Sequence, residues 1–241
     1  MEVNVLSQMM ISELTGYATK FQNHTIAYPK ILAALSTLQA LKRKQLPLMP
    51  LPSLAFSESQ ILKDLRLMPV DDLLSEFRQT LITDFGIWHL PNQRWIIDLH
   101  HFIAGRRVLE IMCGNAIMTY ALRAMGDNII ATDNFAWQGQ DIQTPKPWTQ
   151  VTQMSGLTAI NTFPFDVVIM SWAPDTDTSD VTILSALREK QFTGDFIVIG
   201  EKNQATNSKK FWQIADLTIS KTLNQHHQQF DFIHDQVFIV K

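Results

Sequence analysis

The sequence predicts an α/β protein with a doubly wound, mostly parallel sheet, closed by a C-terminal antiparallel hairpin and preceded by a helical N-terminal region. Three observations predict it. Val108, Leu109 and Ile111 form the short apolar run that a parallel strand covered on both faces needs, and they lead through a tight turn into apolar residues at helical spacing. Two more such runs lie over 165–171 and 196–200. Finally, Phe230-Asp231-Phe232-Ile233 and Val237-Phe238-Ile239-Val240 flank a turn at His234-Asp235, which suits a terminal antiparallel pair.

Residues 1–93 carry helical patterns and few strand candidates. Ile31, Leu32, Leu35, Leu38 and Leu41 mark one amphipathic helix after Pro29. The prolines of 47–52 demand an extended chain, since each lacks an N–H and restricts its predecessor. Ser57 with Gln60 is a capping box ahead of Ile61, Leu62 and Leu65. Asp71 is placed to cap a helix through Leu73, Leu74, Phe77 and Leu81. Nothing here specifies chemistry, so the region is expected to be a lid or a homodimerisation element. The stretch 83–92 differs, being irregular, aromatic and punctuated by Gly86 and Pro91; Phe85 and Trp88 seal a seam or cover a ligand. A helix with Trp95, Ile96, Leu99 and Phe102 opens the second domain, expected over 94–241.

From Ile117 the residues Tyr120, Ala121 and Ala124 continue a helix, and Gly126 is its stop. Ile129-Ile130-Ala131-Thr132-Asp133 is a second buried strand ending in an acid. Glu110 and Asp133 thus fall at the carboxyl ends of adjacent strands, where open α/β sheets bind ligands, and an acid there can accept from ribose hydroxyls. After a polar loop ending at Pro145 and Pro147 comes a weak third strand over 151–154. The fourth strand runs into Ser171-Trp172-Ala173-Pro174, a helix follows through Val181, Leu184 and Leu187, and the fifth strand ends at Glu201.

Glu110-Ile111-Met112-Cys113-Gly114-Asn115-Ala116 resembles the E/D-x-G-x-G-x-G signature of class I S-adenosylmethionine-dependent methyltransferases, with Met112 and Ala116 in place of the first and third glycines. The resemblance implies a Rossmann-like sheet of seven strands, S-adenosylmethionine as cofactor and methyl transfer to an unidentified acceptor. It implies that Glu110 meets the methionine moiety, that Met112, Cys113, Gly114 and Ala116 form the cofactor turn, and that Asp133 holds the ribose. It further implies that Asn134 flanks the adenine, Ser155 reaches its amino group and Trp88 folds over the ligand. Ser171-Trp172-Ala173-Pro174 resembles the family's fourth motif, D/N-P-P-Y/F. By that resemblance Ser171, Trp172 and Pro174 shape the site where cofactor meets acceptor, and Asp175 is a candidate base. The aromatic-Gly-aliphatic stretch ending at Pro91 and the Ile199-Gly200-Glu201 ending resemble uncharacterised methyltransferase-like proteins. Two other readings stand beside it. One is a degenerate fold that binds a nucleoside or a partner without turnover, which Met112, Ala116 and Ser171 favour. The other is an NAD-dependent oxidoreductase, which the terminal hairpin disfavours.

Composition limits the rest. A chain of 241 residues, 46% hydrophobic, can bury a sizeable core, and its net charge of −3 supplies no field for nucleic acid. Lys42-Arg43-Lys44 reads as the solvated end of a helix. No run has the length of a membrane span, the N-terminus lacks a signal-peptide pattern, and the single cysteine, Cys113, excludes an internal disulfide, so a cytoplasmic protein acting on a small molecule is expected. A turn before a helix lowers a thiol pKa, yet no motif makes Cys113 a nucleophile, and packing or cofactor contact is expected. The pairs His100-His101 and His226-His227 are not expected to hold a metal, because adjacent side chains point apart.

Overall fold

The computed structural model describes residues 5–137 and 145–241, so the polar loop expected over 138–144 lies outside the described residues. The strands are β1 (Val108–Ile111), β2 (Ile129–Asp133), β3 (Thr152–Gln153), β4 (Val167–Ser171), β5 (Asp195–Gly200), β6 (Leu217–Ile219) and β7 (Gln236–Val240). They form one sheet in the order β3-β2-β1-β4-β5-β7-β6. The first five are parallel, and β7 runs antiparallel to both β5 and β6. The helices are α1 (Val5–Lys20), α2 (Ala27–Lys42), α3 (Glu58–Lys63), α4 (Met68–Ser75), α5 (Phe77–Phe85), α6 (Gln93–Ile103), α7 (Ile117–Ala124), α8 (Gly156–Thr162), α9 (Ser179–Glu189) and α10 (Lys209–Ile214).

The period of two along each strand divides the sheet between two cores. Val108, Val167, Ile169, Ile197, Ile199 and Val237 pack toward α1, α2 and α5–α7. Leu109, Ile111, Val168, Met170, Val198 and Phe238 pack toward α8–α10. This doubly covered arrangement explains why the central strands read as unbroken apolar runs. On the first face the core is continuous across residue 93: Leu81, Phe85 and Ile87 belong to the same cluster as Trp95 and Val108.

Most elements lie where periodicity and caps put them. Ser57 and Gln60 form both bonds of the capping box at α3, and Asn92 caps α6 by accepting from the Trp95 N–H at 3.0 Å. Two expectations are corrected. Residues 230–233 are not a strand; the antiparallel partner of β7 is Leu217–Ile219. Phe230 is apolar for a different reason, meeting Phe77 edge-on at 5.8 Å and closing the seam to the N-terminal helices. Asp71 caps nothing; it lies within α4 and accepts from the Phe56 N–H at 2.8 Å, tying down the extended proline stretch.

Candidate functional site

The parallel strands open at their carboxyl ends onto a cavity of about 670 Å³, within the size range of small-molecule sites. Much of its wall comes from four stretches. β1 and the turn after it give Glu110, Met112, Cys113 and Gly114; the end of β2 gives Asp133 and Asn134; the end of β4 gives Ser171, Trp172 and Pro174; the segment after α5 gives Trp88 and His89. Of the residues expected in the site, these face the cavity and three do not. Ala116 is fully buried behind the turn. Ser155 is turned away, its hydroxyl accepting from the Thr158 N–H at 3.2 Å as the cap of α8. Asp175 is exposed and off the wall, where Thr176 and Asp177 stand instead.

The turn after β1 has an unusual backbone. Met112, Gly114 and Ala116 have φ of 53°, 55° and 55°, so all three positions are left-handed although only one is glycine. That conformation costs an L-residue about 1–2 kcal/mol. Two further non-glycine residues on or beside the cavity, Phe135 at 54° and Trp172 at 53°, share it. Strain of this kind persists only where surroundings impose it, and it gathers at ligand clamps. Buried Asn115 fixes the turn from behind, donating to Phe85 O at 2.8 Å and accepting from the Lys146 N–H at 2.9 Å.

Both acids are buried, at 2% exposure for Glu110 and 6% for Asp133, and neither has an ion-pair partner among the described residues. Glu110 points to the α7 face and accepts from the N–H of Thr119 at 3.1 Å and from its hydroxyl. Burial pushes its pKa up to about 7, against those two bonds. Asp133 accepts from the N–H of Gly114 at 2.8 Å and of Phe135 at 2.7 Å, and from the Trp137 side chain. Its pKa is also raised, chiefly by burial. A carboxylate has about four acceptor positions, so Asp133 keeps room for one more donor while it joins the two turns. Burial pushes the Cys113 thiol well up, with the Glu110 and Asp133 charges adding to it, so the helix-end effect is overridden and the thiol stays protonated.

Aromatic rings form much of the remaining wall. The Trp88 ring lies 3.5 Å from where a Gly114 Cβ would stand and meets Trp137 edge-on at 5.7 Å. Arg78 holds this segment, donating to Trp88 O at 2.6 Å while its guanidinium covers the Trp172 ring at 4.5 Å. The Trp172 indole N–H donates to Asp235 Oδ2 at 2.7 Å. The Ser171 hydroxyl is buried at the cavity with no hydrogen-bond partner among the described residues, a group that a bound polar ligand would satisfy. Thr119, Asn115, Trp137, His89 and Asp235 were not among the expected site residues. His89 lies inside the 83–92 stretch marked by its aromatic character and Trp137 just past Asn134, whereas the part played by Thr119 and Asp235 depends on tertiary contacts alone.

No family model matches the chain, and no curated protein is similar to it in sequence. Several solved structures are distantly similar to it. A candidate class I S-adenosylmethionine-dependent methyltransferase from Listeria monocytogenes is 17% identical over 99% of this chain and 88% of its own, with a TM-score of 0.36. The magnesium protoporphyrin IX methyltransferase of Synechocystis, with bound cofactor, is 11% identical over 62% of this chain and 79% of its own, at 0.37. Human N-acetylserotonin methyltransferase, also with bound cofactor, is 9% identical over 92% and 68%, at 0.42. The mostly parallel seven-stranded sheet with its antiparallel last pair agrees with the sheet that the sequence resemblance implies.

Proposed function

We propose that the protein binds S-adenosylmethionine in this cavity and transfers its methyl group to a small-molecule acceptor. The observation that carries the reading is the turn after β1. Its backbone is left-handed at all three positions where the family signature has glycine, although two of them carry side chains that resist it. A sequence that keeps this shape against its own residues keeps the backbone approach that a nucleoside ligand needs.

In this reading Glu110 meets the ammonium of the methionine moiety, and a cation arriving there relieves the burial that now raises its pKa. Asp133 offers its remaining acceptor position to the ribose, and Trp88, Asn134 and Trp137 flank the base. Ser171, Trp172 and Pro174 border the acceptor end. Direct in-line methyl transfer asks the protein mainly for positioning, which a rigid sheet edge and an aromatic wall supply. Residues 1–93 form a helical unit that roofs the site through Trp88, and the methyltransferase unit spans 94–241.

The test is a melting curve with S-adenosylhomocysteine and, separately, with NAD. A ligand that binds only the folded state stabilises it by about 2.7 kcal/mol at a hundred times its dissociation constant. A rise with S-adenosylhomocysteine and none with NAD is expected; no rise at millimolar ligand removes the reading. One alternative keeps a specific observation in its favour. Met112 lines the cavity where the family has glycine, which suits a fold that binds a nucleoside or a partner without turnover. Binding without methyl loss from labelled cofactor, across a panel of small acceptors, would select it.

A further inference from the structure

Behind the wall made by His89 and Trp172, the side chains of His89, His227 and Asp235 converge. One ligand-type atom from each lies within 4.8 Å of the other two. His227 Nε2 stands 3.2 Å from Asp235 Oδ1, and the His89 and His227 rings are 5.3 Å apart. We infer that this trio is a binding site for a divalent zinc-type cation, with its fourth position opening toward the cavity beside Trp172.

The donor set supports this. Two imidazoles and one carboxylate suit zinc and its neighbours better than magnesium or calcium, which prefer all-oxygen cages. With bonds of about 2.0–2.1 Å, tetrahedral ligands stand about 3.4 Å apart, close to the observed 3.2 Å pair, and the remaining ligand atoms, within 4.8 Å, would draw in on binding. The carboxylate is already organised as such sites require: Oδ1 faces His227 while Oδ2 accepts from the Trp172 indole. No hydrogen bond among the described residues engages the ring of His89, which packs edge-on against Trp95 at 5.1 Å and faces the cavity. Three protein ligands with one position open is the pattern of a site that holds a substrate atom as well as a metal.

Other histidines are committed elsewhere. His226 pairs with Asp98 at 2.7 Å and His100 with Asp127 at 2.9 Å. Arg78 brings positive charge to the neighbourhood, but Asp231 accepts from it through both carboxylate oxygens, so that charge is already paired.

The test uses full-length, tag-free protein and zinc alone, without cofactor, so its outcome is independent of the nucleoside reading. Equilibrium dialysis with metal analysis should give one zinc per chain. Asp235→Asn, which keeps the shape and the Trp172 bond, and His89→Phe, which keeps a ring against Trp95, should each lower zinc affinity by at least about tenfold; melting curves show that they remain folded. His101→Ala, at an exposed position off the trio, should bind as the parent does. Cobalt substituted for zinc should give a visible d–d band that shifts on adding azide. No stoichiometric zinc, or equal binding by the parent and both trio variants, overturns the site; a cobalt band indifferent to azide overturns the open fourth position.

Discussion

The two ends of the parallel strands carry acids of opposite kinds. At the amino ends, Asp166 meets Arg107 at 2.8 Å and Asp195 meets Arg106 at 2.6 Å, in open pairs. The arginine beside it holds the Asp166 carboxyl down at about 2. At the carboxyl ends, Glu110 and Asp133 are buried with no ion-pair partner among the described residues, and burial raises both, for Glu110 against the more distant Arg123 charge. The backbone follows the same division less sharply: Ala104 and Gln191, in the turns that lead into β1 and β5, are left-handed, while at the carboxyl edge Met112, Ala116, Phe135 and Trp172 share that conformation. Folding alone favours the first arrangement, since a buried unpaired acid costs free energy. An edge that carries both costs is one shaped for a ligand to complete.

The largest effect expected from breaking this asymmetry is at Asp133. Asp133→Ala should weaken S-adenosylhomocysteine binding by at least about tenfold, because hydrogen bonds to a charged acceptor are worth roughly 1.5–3 kcal/mol each. It should also lower stability, since the carboxylate joins the Gly114 and Phe135 turns. Calorimetric titration beside unfolding curves separates the two, and unchanged affinity would put the ribose elsewhere.

Glu110 comes next, and its signature is pH. A buried acid with a pKa of about 7 instead of 4.5 holds more protons folded than unfolded between those values. Its contribution is therefore fully present below about 4.5 and lost as pH rises through about 7, by about 3 kcal/mol at most. Asp235, held down at about 2, acts with the opposite sign but at lower pH, outside that window. Glu110→Gln should flatten the fall, leaving the variant more stable than the parent at pH 8, while binding S-adenosylhomocysteine about tenfold more weakly. A variant that follows the parent's curve would show that Glu110 is not the group titrating.

These differences also show what was legible in advance. The central strands were, because burial on both faces leaves an uninterrupted apolar run. The placing of Glu110 and Asp133 was, because each lies at the carboxyl end of a buried strand, where the cavity opens. The last pair was only half legible. Leu217-Thr218-Ile219 is an exposed edge strand too short to show alternation, whereas Phe230 carries a strong apolar signal that comes from helix packing. Ser155 illustrates the same limit, since a hydroxyl before a helix serves the helix first. The trio of His89, His227 and Asp235 joins residues that only the closed fold brings together.

Smaller effects are expected from relaxing the turn. Ala116→Gly removes a strain of about 1–2 kcal/mol and adds unfolded-chain entropy of about 0.4–1 kcal/mol, so a gain of between zero and about 1.6 kcal/mol is expected. Met112→Gly should gain less or nothing, because its side chain also packs against the second core. If Met112 crowds the methionine end, the same variant should bind S-adenosylhomocysteine more tightly than the parent does. Calorimetry showing equal or weaker binding would remove the crowding role and leave Met112 as packing.

The smallest effect is expected at the other end of the sheet, and it calibrates the rest. Asp166 lies one residue before β4, and its carboxylate oxygens accept from the Arg107 backbone and guanidinium in the open. Water replaces such a partner easily, so Asp166→Ala should change ligand affinity by less than about twofold. What it should change is acid sensitivity. With its folded pKa held at about 2, below the usual 3.8, Asp166 contributes stability above about 3.8 that is lost as pH falls through about 2. The variant should therefore lose slightly less stability than the parent on acidification, while Glu110→Gln alters the curve only above that range. Titrations and melts of Asp133→Ala and Asp166→Ala side by side decide the comparison: if the two lose affinity alike, the loss is global, and the carboxyl edge holds no privileged place for the ligand.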